Sequence, residues 1–176
     1  MGYGIIIQAQ GSYALFTRPE MKVERVSYDF ITPSAARGIL EAIYWKPAIR
    51  WVIDKIHVLN EIKFTNIRRN EMSQKISTDN VNQAMNNGQG NLYLSSNDTR
   101  QQRAALVLQD VNYVIEAHFD SIAERWGEKD SVEGHYNIIL RRLRNGQHFH
   151  APYLGTREFP AHIELIEDQK DIPKSI

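Results

Sequence analysis

The chain has 176 residues, a hydrophobic fraction of 42% and a formal net charge of zero from 21 basic and 21 acidic side chains. This length suits about one domain that buries roughly 70% of its unfolded surface, and the composition excludes a mainly disordered protein. The lack of cysteine excludes disulfides, thiolate metal sites and a cysteine nucleophile. No apolar run approaches the ~18–20 residues of a membrane-spanning helix, and no secretion signal is visible. We therefore expect a cytoplasmic protein without a membrane partner.

The first part of the chain is predicted to contain strands and one helix. Thr32 can cap a helix that begins at Pro33 and ends before Pro47, because apolar residues follow at helical spacing. Runs of β-branched or alternating apolar residues predict strands on both sides of this helix. The predicted strands are 3–10, 51–59 and 62–68.

A polar stretch divides the second part of the chain. Residues 79–103 hold ten Asn or Gln side chains and few apolar ones, which predicts an insertion that adds little to the core. A long strand is predicted over 104–119 and a last strand over 161–167. Ser131 can cap a second helix that ends at Gly146.

The predicted elements follow in the order strand, helix, strands, helix and strand, which predicts an α+β protein. The expected fold is ferredoxin-like, the split βαβ arrangement shared by RNA-recognition modules, with an antiparallel sheet and two helices on one face. We predict a single domain over 1–176 with the insertion at about 79–103. Architecture alone does not determine the function.

Basic side chains cluster locally although the whole chain is neutral. The segment 141–157 carries four arginines and no acidic residue. Such a cluster can form a phosphate-binding patch, although a run of charge is more often a solvated helix face. The candidate phosphate contacts are Arg68, Arg69, Arg141 and Arg144.

Two side chains are suited to proton transfer. Tyr44 closes the first helix beside Trp45 and Lys46, where it is either a core aromatic or a general acid or base with a pKa lowered by the lysine. His118 lies near the end of the long strand and is either a half-buried structural histidine or a catalyst near neutral pH. The usual motifs for nucleotide hydrolysis, dinucleotide binding, zinc proteolysis and serine hydrolysis are absent.

A metal site has weak support. His148 and His150 are spaced so that both could lie on one side of a strand and bind a metal. The sequence places no third ligand near them, so we predict no metal.

Several segments together resemble one known family. They are 11–17, 33–47, 64–70, 116–119 and 153–159, and the ending Tyr-Trp-Lys-Pro of the second is the most specific. From about Gly4 to Glu167, the chain resembles the CRISPR-associated Cas proteins of the fifth family, in their type I-C branch. That family belongs to the repeat-associated mysterious protein superfamily.

The resemblance implies a ferredoxin-like endoribonuclease that cuts CRISPR repeat RNA without a metal or other cofactor. In the implied reaction, a ribose 2′-OH attacks the adjacent phosphate and leaves a 2′,3′-cyclic phosphate and a 5′-OH. The protein then stays on the 5′ handle of the crRNA as a subunit of the interference complex, Cascade. The implied partners are the repeat RNA and crRNA, the other type I-C Cascade subunits and, through a basic patch, double-stranded DNA.

By the same resemblance, the catalytic residues are Tyr44 and His118. The implied RNA contacts are Lys46, Arg68, Arg69, Arg141, Arg144 and Arg157. Relatives with a demonstrated site have a lysine just before this histidine, whereas Glu116 and Ala117 stand here. An alternative function is therefore a scaffold that binds the crRNA handle without cutting it.

The C-terminal part also departs from the family pattern. Relatives continue well past the end of this sequence, so we expect the part after about residue 150 to be truncated. The glycine-rich loop of the superfamily is reduced here to Gly155.

Overall fold

A computed structural model describes residues 3–21, 23–88, 92–128 and 130–175. Within these ranges, the elements are six strands, four α-helices and two 3₁₀ helices. The strands are β1 (Gly4–Ala14), β2 (Arg25–Val26), β3 (Ile49–Val58), β4 (Lys63–Met72), β5 (Arg100–Ser121) and β6 (His162–Ile166). The α-helices are α1 (Pro33–Ile43), α2 (Thr78–Asn87), α3 (Ser96–Thr99) and α4 (Val132–Arg144). The 3₁₀ helices are Ala123–Arg125 and Gln169–Asp171.

The long strand β5 is the centre of the sheet. It pairs antiparallel with β1 on one side, where Gly4 lies opposite His118, and with β3 on the other, where Val52 lies opposite His118. Strand β6 pairs antiparallel with β1, with Ile166 opposite Ile6. These four strands therefore lie in the order β3–β5–β1–β6, and β2 and β4 also pair with β5.

The two longest helices begin where the sequence predicts. The Thr32 hydroxyl accepts a hydrogen bond from the Ala35 amide at the start of α1, and Ser131 accepts one from Gly134 at the start of α4. Helix α1 contacts β3 and α4, and α4 contacts β6. Their buried faces cover apolar strand residues, which include Ile5, Ile7, Ala9, Ile115 and Phe119.

The predicted α+β class is confirmed, while several element boundaries differ. Strand β1 continues past Gly11 because β5 continues opposite it, with Val111 facing Gly11 and Gln109 facing Tyr13. Pro47 prevents the helix from including Lys46, but α1 already ends at Ile43. The sequence does not predict β2, α2 or α3.

The chain divides into two compact units. The first comprises the described residues of Met1–Thr65 and Leu106–Ile176, and the second those of Asn66–Ala105. All described residues of the predicted insertion, 79–103, lie in the second unit. Its helix α2 buries none of its residues.

Candidate functional site

Tyr44 lies at the C-terminal end of α1, in the core of the first unit. The buried face of α1 includes Ile39, Leu40 and Ile43, so the chain leaves the helix on the face that is turned to the core. The Tyr44 amide donates to the Leu40 carbonyl, while the Trp51 indole donates to the Tyr44 carbonyl at 2.9 Å. With 2% of its surface exposed, Tyr44 is a core aromatic in this structure.

The Tyr44 hydroxyl contacts a histidine that the sequence analysis did not single out. Its oxygen lies 2.7 Å from Nδ1 of His135, which is itself 3% exposed. His135 shares the buried stripe of α4 with Ile139 and Leu143. The spacing 135, 139, 143 is the helical signal that could have found it.

Asp130 lies on the side of the His135 ring away from Tyr44. Nε2 of His135 lies 3.5 Å from Oδ1 of Asp130, an ion-pair distance at which no hydrogen bond forms, so this buried nitrogen has no hydrogen-bond partner among the described residues. When the Tyr44 hydroxyl donates to Nδ1, the imidazole proton sits on Nε2 and faces Asp130. The result is a buried phenol–imidazole pair beside a partly exposed carboxylate.

Arg142 belongs to the arginine run that the sequence marks as a candidate phosphate contact, but its contact with Tyr44 is not predicted. It donates to the Ile43 carbonyl at 2.6 Å, and its guanidinium carbon lies 5.2 Å from the centre of the Tyr44 ring. Burial raises the pKa of the Tyr44 hydroxyl, Arg142 opposes that rise and Asp130 adds to it. The phenol therefore stays protonated near neutral pH, as a hydrogen-bond donor and not as a phenolate.

His118 lies on the opposite face of the sheet. Its neighbour Phe119 packs edge-on against Trp51 and His135. Because side chains alternate along a strand, His118 points away from that helical face. The predicted catalytic pair, Tyr44 and His118, is thus not brought together.

Carboxylates surround His118 on this partly open face. Its Nδ1 lies 2.8 Å from both carboxylate oxygens of Asp54, and its Nε2 lies 3.6 Å from Asp120. Arg50 pairs with Asp120 at 3.1 Å. The neutral tautomer that donates its Nδ1 proton to Asp54 leaves Nε2 as a proton acceptor.

The two residues that precede His118 have structural partners. The Glu116 carboxylate lies 2.6 Å from Nε2 of His57. Ala117 is 1% exposed and faces the core. The family's lysine is therefore replaced by one residue that is already paired and by one that points away from this face.

The predicted phosphate contacts differ in their availability. Arg144 is held by both oxygens of Glu167 at 2.8 and 3.0 Å, which raises the pKa of the guanidinium and lowers that of the carboxyl. Arg69 is half-buried in the second unit. Besides Arg144, which is exposed but paired, the exposed members are Lys46, Arg68, Arg141 and Arg157.

Over the described ranges, no three His, Cys, Asp or Glu side chains are grouped so that they could hold a metal ion. His148 and His150 are both exposed. None of the helices in the described part of the chain has the length and apolarity needed to cross a bilayer.

Comparison with known proteins assigns the family. The family model of the CRISPR-associated protein Cas5, in its Cas5d form, matches residues 4–175. The chain belongs to the Cas5 family. The resemblance to the type I-C branch is thereby confirmed.

Two curated relatives and one solved structure are similar to the chain. A "CRISPR pre-crRNA endoribonuclease Cas5d" of Mannheimia succiniciproducens is 54% identical over 176 residues, 99% of this chain and 78% of that relative. One of the same description from Thermus thermophilus is 44% identical over 157 residues, 89% of this chain and 62% of the relative. The crystal structure of a CRISPR-associated protein is 25% identical, covers 96% of this chain and 68% of its own, and has a TM-score of 0.65.

Proposed function

We propose that this Cas5 chain is a CRISPR pre-crRNA endoribonuclease that cuts the repeat transcript and remains on the crRNA as a Cascade subunit. The observation that carries the proposal is the 54% identity to a Cas5d endoribonuclease along nearly the whole chain. At this level of identity we expect the fold and the principal activity to be shared. The partners proposed are the repeat RNA and the other type I-C subunits.

The sheet supports a ferredoxin-like assignment. In the order β3–β5–β1–β6 all neighbours are antiparallel, and β1 and β5 are the two central strands. This is the strand order expected of a split βαβ sheet. Helices α1 and α4 occupy the two crossover connections. The single-domain description with an insertion at about 79–103 remains a prediction.

The proposed chemistry is attack by a ribose 2′-OH on the neighbouring phosphate, with a 5′-OH as leaving group. The bond formed is from the 2′ oxygen to phosphorus, and the bond broken is from phosphorus to the 5′ oxygen. One group must accept the 2′ proton and another must protonate the leaving oxygen. His118, oriented by Asp54 and open to solvent, is suited to either proton transfer.

Tyr44 enters the proposal as a separate candidate. Its hydroxyl is buried against His135, so a direct role requires that this bond opens when RNA binds. A positioning role requires only that the Tyr44–His135 contact holds the end of α1 in place. Substitution by phenylalanine distinguishes these roles from a purely structural one.

The alternative function is handle binding without cleavage. The burial of Tyr44 and the residues before His118 favour it, since Glu116 and Ala117 supply no cation to the phosphate. Exposed arginines such as Arg141 and Arg157 would hold the phosphates. Both functions place the chain in the same complex.

The deciding experiment is cleavage of repeat-hairpin RNA by the full chain in EDTA, followed on a denaturing gel. We expect one cut that is lost when the scissile nucleotide carries a 2′-deoxyribose. His118→Ala should slow the cut by about 10²–10⁴-fold and leave RNA affinity unchanged, and Asp54→Asn should slow it less.

His162→Ala is the matched control, because His162 also pairs with a carboxylate, Glu164, on an exposed strand. It should cut at the original rate. Intact RNA that still shifts on a native gel would support the scaffold function. A cut that requires Mg²⁺ would contradict the proposed chemistry.

A further inference from the structure

A groove in the first unit is lined by aromatic side chains that no step above uses. It has a volume of about 610 Å³, within the range of small-ligand sites, and runs between the end of α1 and the segment 149–160. Its lining includes Trp45, Phe149, His150, Tyr153 and Arg157.

The aromatic rings of this groove are held open to solvent. Trp45 is 56% exposed, Phe149 71% and Tyr153 37%. Trp45 directly follows Tyr44, whose side chain is buried, so the two rings leave the chain in different directions. Three large exposed aromatics around one groove are unusual for a surface that binds nothing.

The backbone behind the groove is anchored on both sides. The amides of Phe149 and His150 both donate to the Ala42 carbonyl, at 2.9 and 3.0 Å. The Leu154 amide donates to the Phe159 carbonyl, and the Leu154 carbonyl accepts from Leu15. The rings therefore project from a backbone segment that is already fixed by hydrogen bonds, so ligand binding has to order little of it.

The charges at the groove favour an anionic ligand. Arg157 is exposed at its rim, and the His150 ring packs edge-on against Phe149 with their centres 4.4 Å apart. The acidic side chain in the lining, Glu41, already pairs with Arg37 at 3.6 Å. Aromatic faces beside a guanidinium match a nucleotide strand, because bases stack on the rings and phosphates contact the cation.

We infer that this groove binds unpaired nucleotides of an RNA strand, with bases on Trp45 and Phe149 and a phosphate on Arg157. The inference rests on the proposed RNA-directed function and extends it to single-stranded RNA beside the hairpin. The ligand class is recognised by stacking, so we expect little preference for a particular base.

The test is the affinity of the full chain for a short unstructured RNA, measured by fluorescence anisotropy over a series of salt concentrations. Trp45→Ala and Phe149→Ala should each weaken binding about fivefold or more, with the salt slope unchanged, because they remove uncharged stacking. Arg157→Ala should lower the salt slope by about 0.7, the value of one phosphate contact on a single strand.

Two further variants sharpen the comparison. Phe30→Ala removes another exposed aromatic, 47% exposed and outside the groove lining, and should leave the affinity unchanged. Trp45→Phe should keep most of the affinity, while the quenching of tryptophan emission by RNA should fall. The buried Trp51 provides an internal emission reference.

The outcomes separate this inference from the proposed function. If the chain cuts the hairpin but Trp45→Ala and Phe149→Ala bind unstructured RNA like the original chain, the groove inference is wrong and the proposed function stands. A Trp45→Ala variant with a reduced salt slope would also overturn it, since stacking carries no charge. If the chain binds neither RNA, both are wrong.

Discussion

The Tyr44 hydroxyl and Nδ1 of His135 lie 2.7 Å apart inside the core and connect the end of α1 to the first turn of α4. The family's tyrosine is thus part of the packing between two helices. Any loss of activity on its substitution combines a chemical and a structural effect, and the two have to be measured separately.

We expect Tyr44→Phe to lower the free energy of unfolding by about 1–3 kcal/mol. The substitution keeps the ring and its contact with Arg142 but leaves the buried Nδ1 of His135 without a partner. Urea denaturation at neutral pH measures this change. Tyr153→Phe removes an exposed hydroxyl and should change stability by less than about 0.5 kcal/mol.

If the free energy of unfolding of Tyr44→Phe is unchanged, the hydrogen bond between Tyr44 and His135 does not stabilise the fold. If the variant is fully folded under assay conditions and still fails to cut RNA, the hydroxyl has a role beyond packing.

Alkaline pH should unfold the protein through its buried tyrosines. Burial raises the pKa of Tyr44 and of Tyr113 above the ordinary value of 10.0. A phenol whose pKa is higher in the folded state contributes stability that is complete below the unfolded pKa and is lost as pH rises toward the folded pKa. Stability should therefore be level up to about pH 10 and then fall.

A spectroscopic titration of tyrosinate tests this expectation. Some of the eight tyrosines should ionise only together with the loss of structure followed by circular dichroism. Ionisation of all of them near pH 10 with the fold intact would contradict it.

Glu167→Gln should strengthen RNA binding. The Glu167 carboxylate holds Arg144 by two hydrogen bonds, so its neutralisation frees the guanidinium for a phosphate. The slope of log affinity against log salt should steepen by about 0.7–0.9 for one added contact. Glu164→Gln, with the same charge change three positions earlier in the chain, on β6, is the control. If both variants strengthen RNA binding equally, the cause is the loss of one negative charge from the surface and not the release of Arg144.

Gly155→Ala should destabilise the protein by at least about 1–3 kcal/mol. Gly155 has a φ of +86°, and a Cβ at this position would clash with the Leu15 carbonyl oxygen. Gly38→Ala gives the opposite sign, because its Cβ would meet nothing within 4 Å inside α1 and alanine favours the helix by roughly 0.5–1 kcal/mol. Thermal unfolding of both variants measures the contrast, and equal behaviour would contradict it.

The sequence predicts the main elements of the first unit well because their signals are local. The caps Thr32 and Ser131 and the apolar spacing behind them depend on a few neighbouring residues. The end of β1 could not be predicted, because it depends on how far a distant partner, β5, continues opposite it. The short strand β2 has the same origin, since it exists through its pairing with β5.

The candidate site shows the same limit. The sequence marks Tyr44 and His118 as candidates because of their residue types. It does not show that they lie on opposite faces of the sheet, because this depends on the alternation of side chains along β5 and on its pairing register. His135 and Arg142 become visible only when α4 is packed against the end of α1. The availability of Arg144 depends on Glu167, more than twenty positions away in the sequence.

The pairing of β1 has a consequence for folding order. Its two neighbours in the sheet, β5 and β6, are both made late in synthesis, since Gly4 pairs with His118 and Ile6 with Ile166. While the chain is on the ribosome, both edges of β1 therefore remain unpaired, and the three isoleucines near its N-terminal end remain exposed. We expect the nascent protein to depend on chaperones until β6 emerges, and folding to be slow for its size.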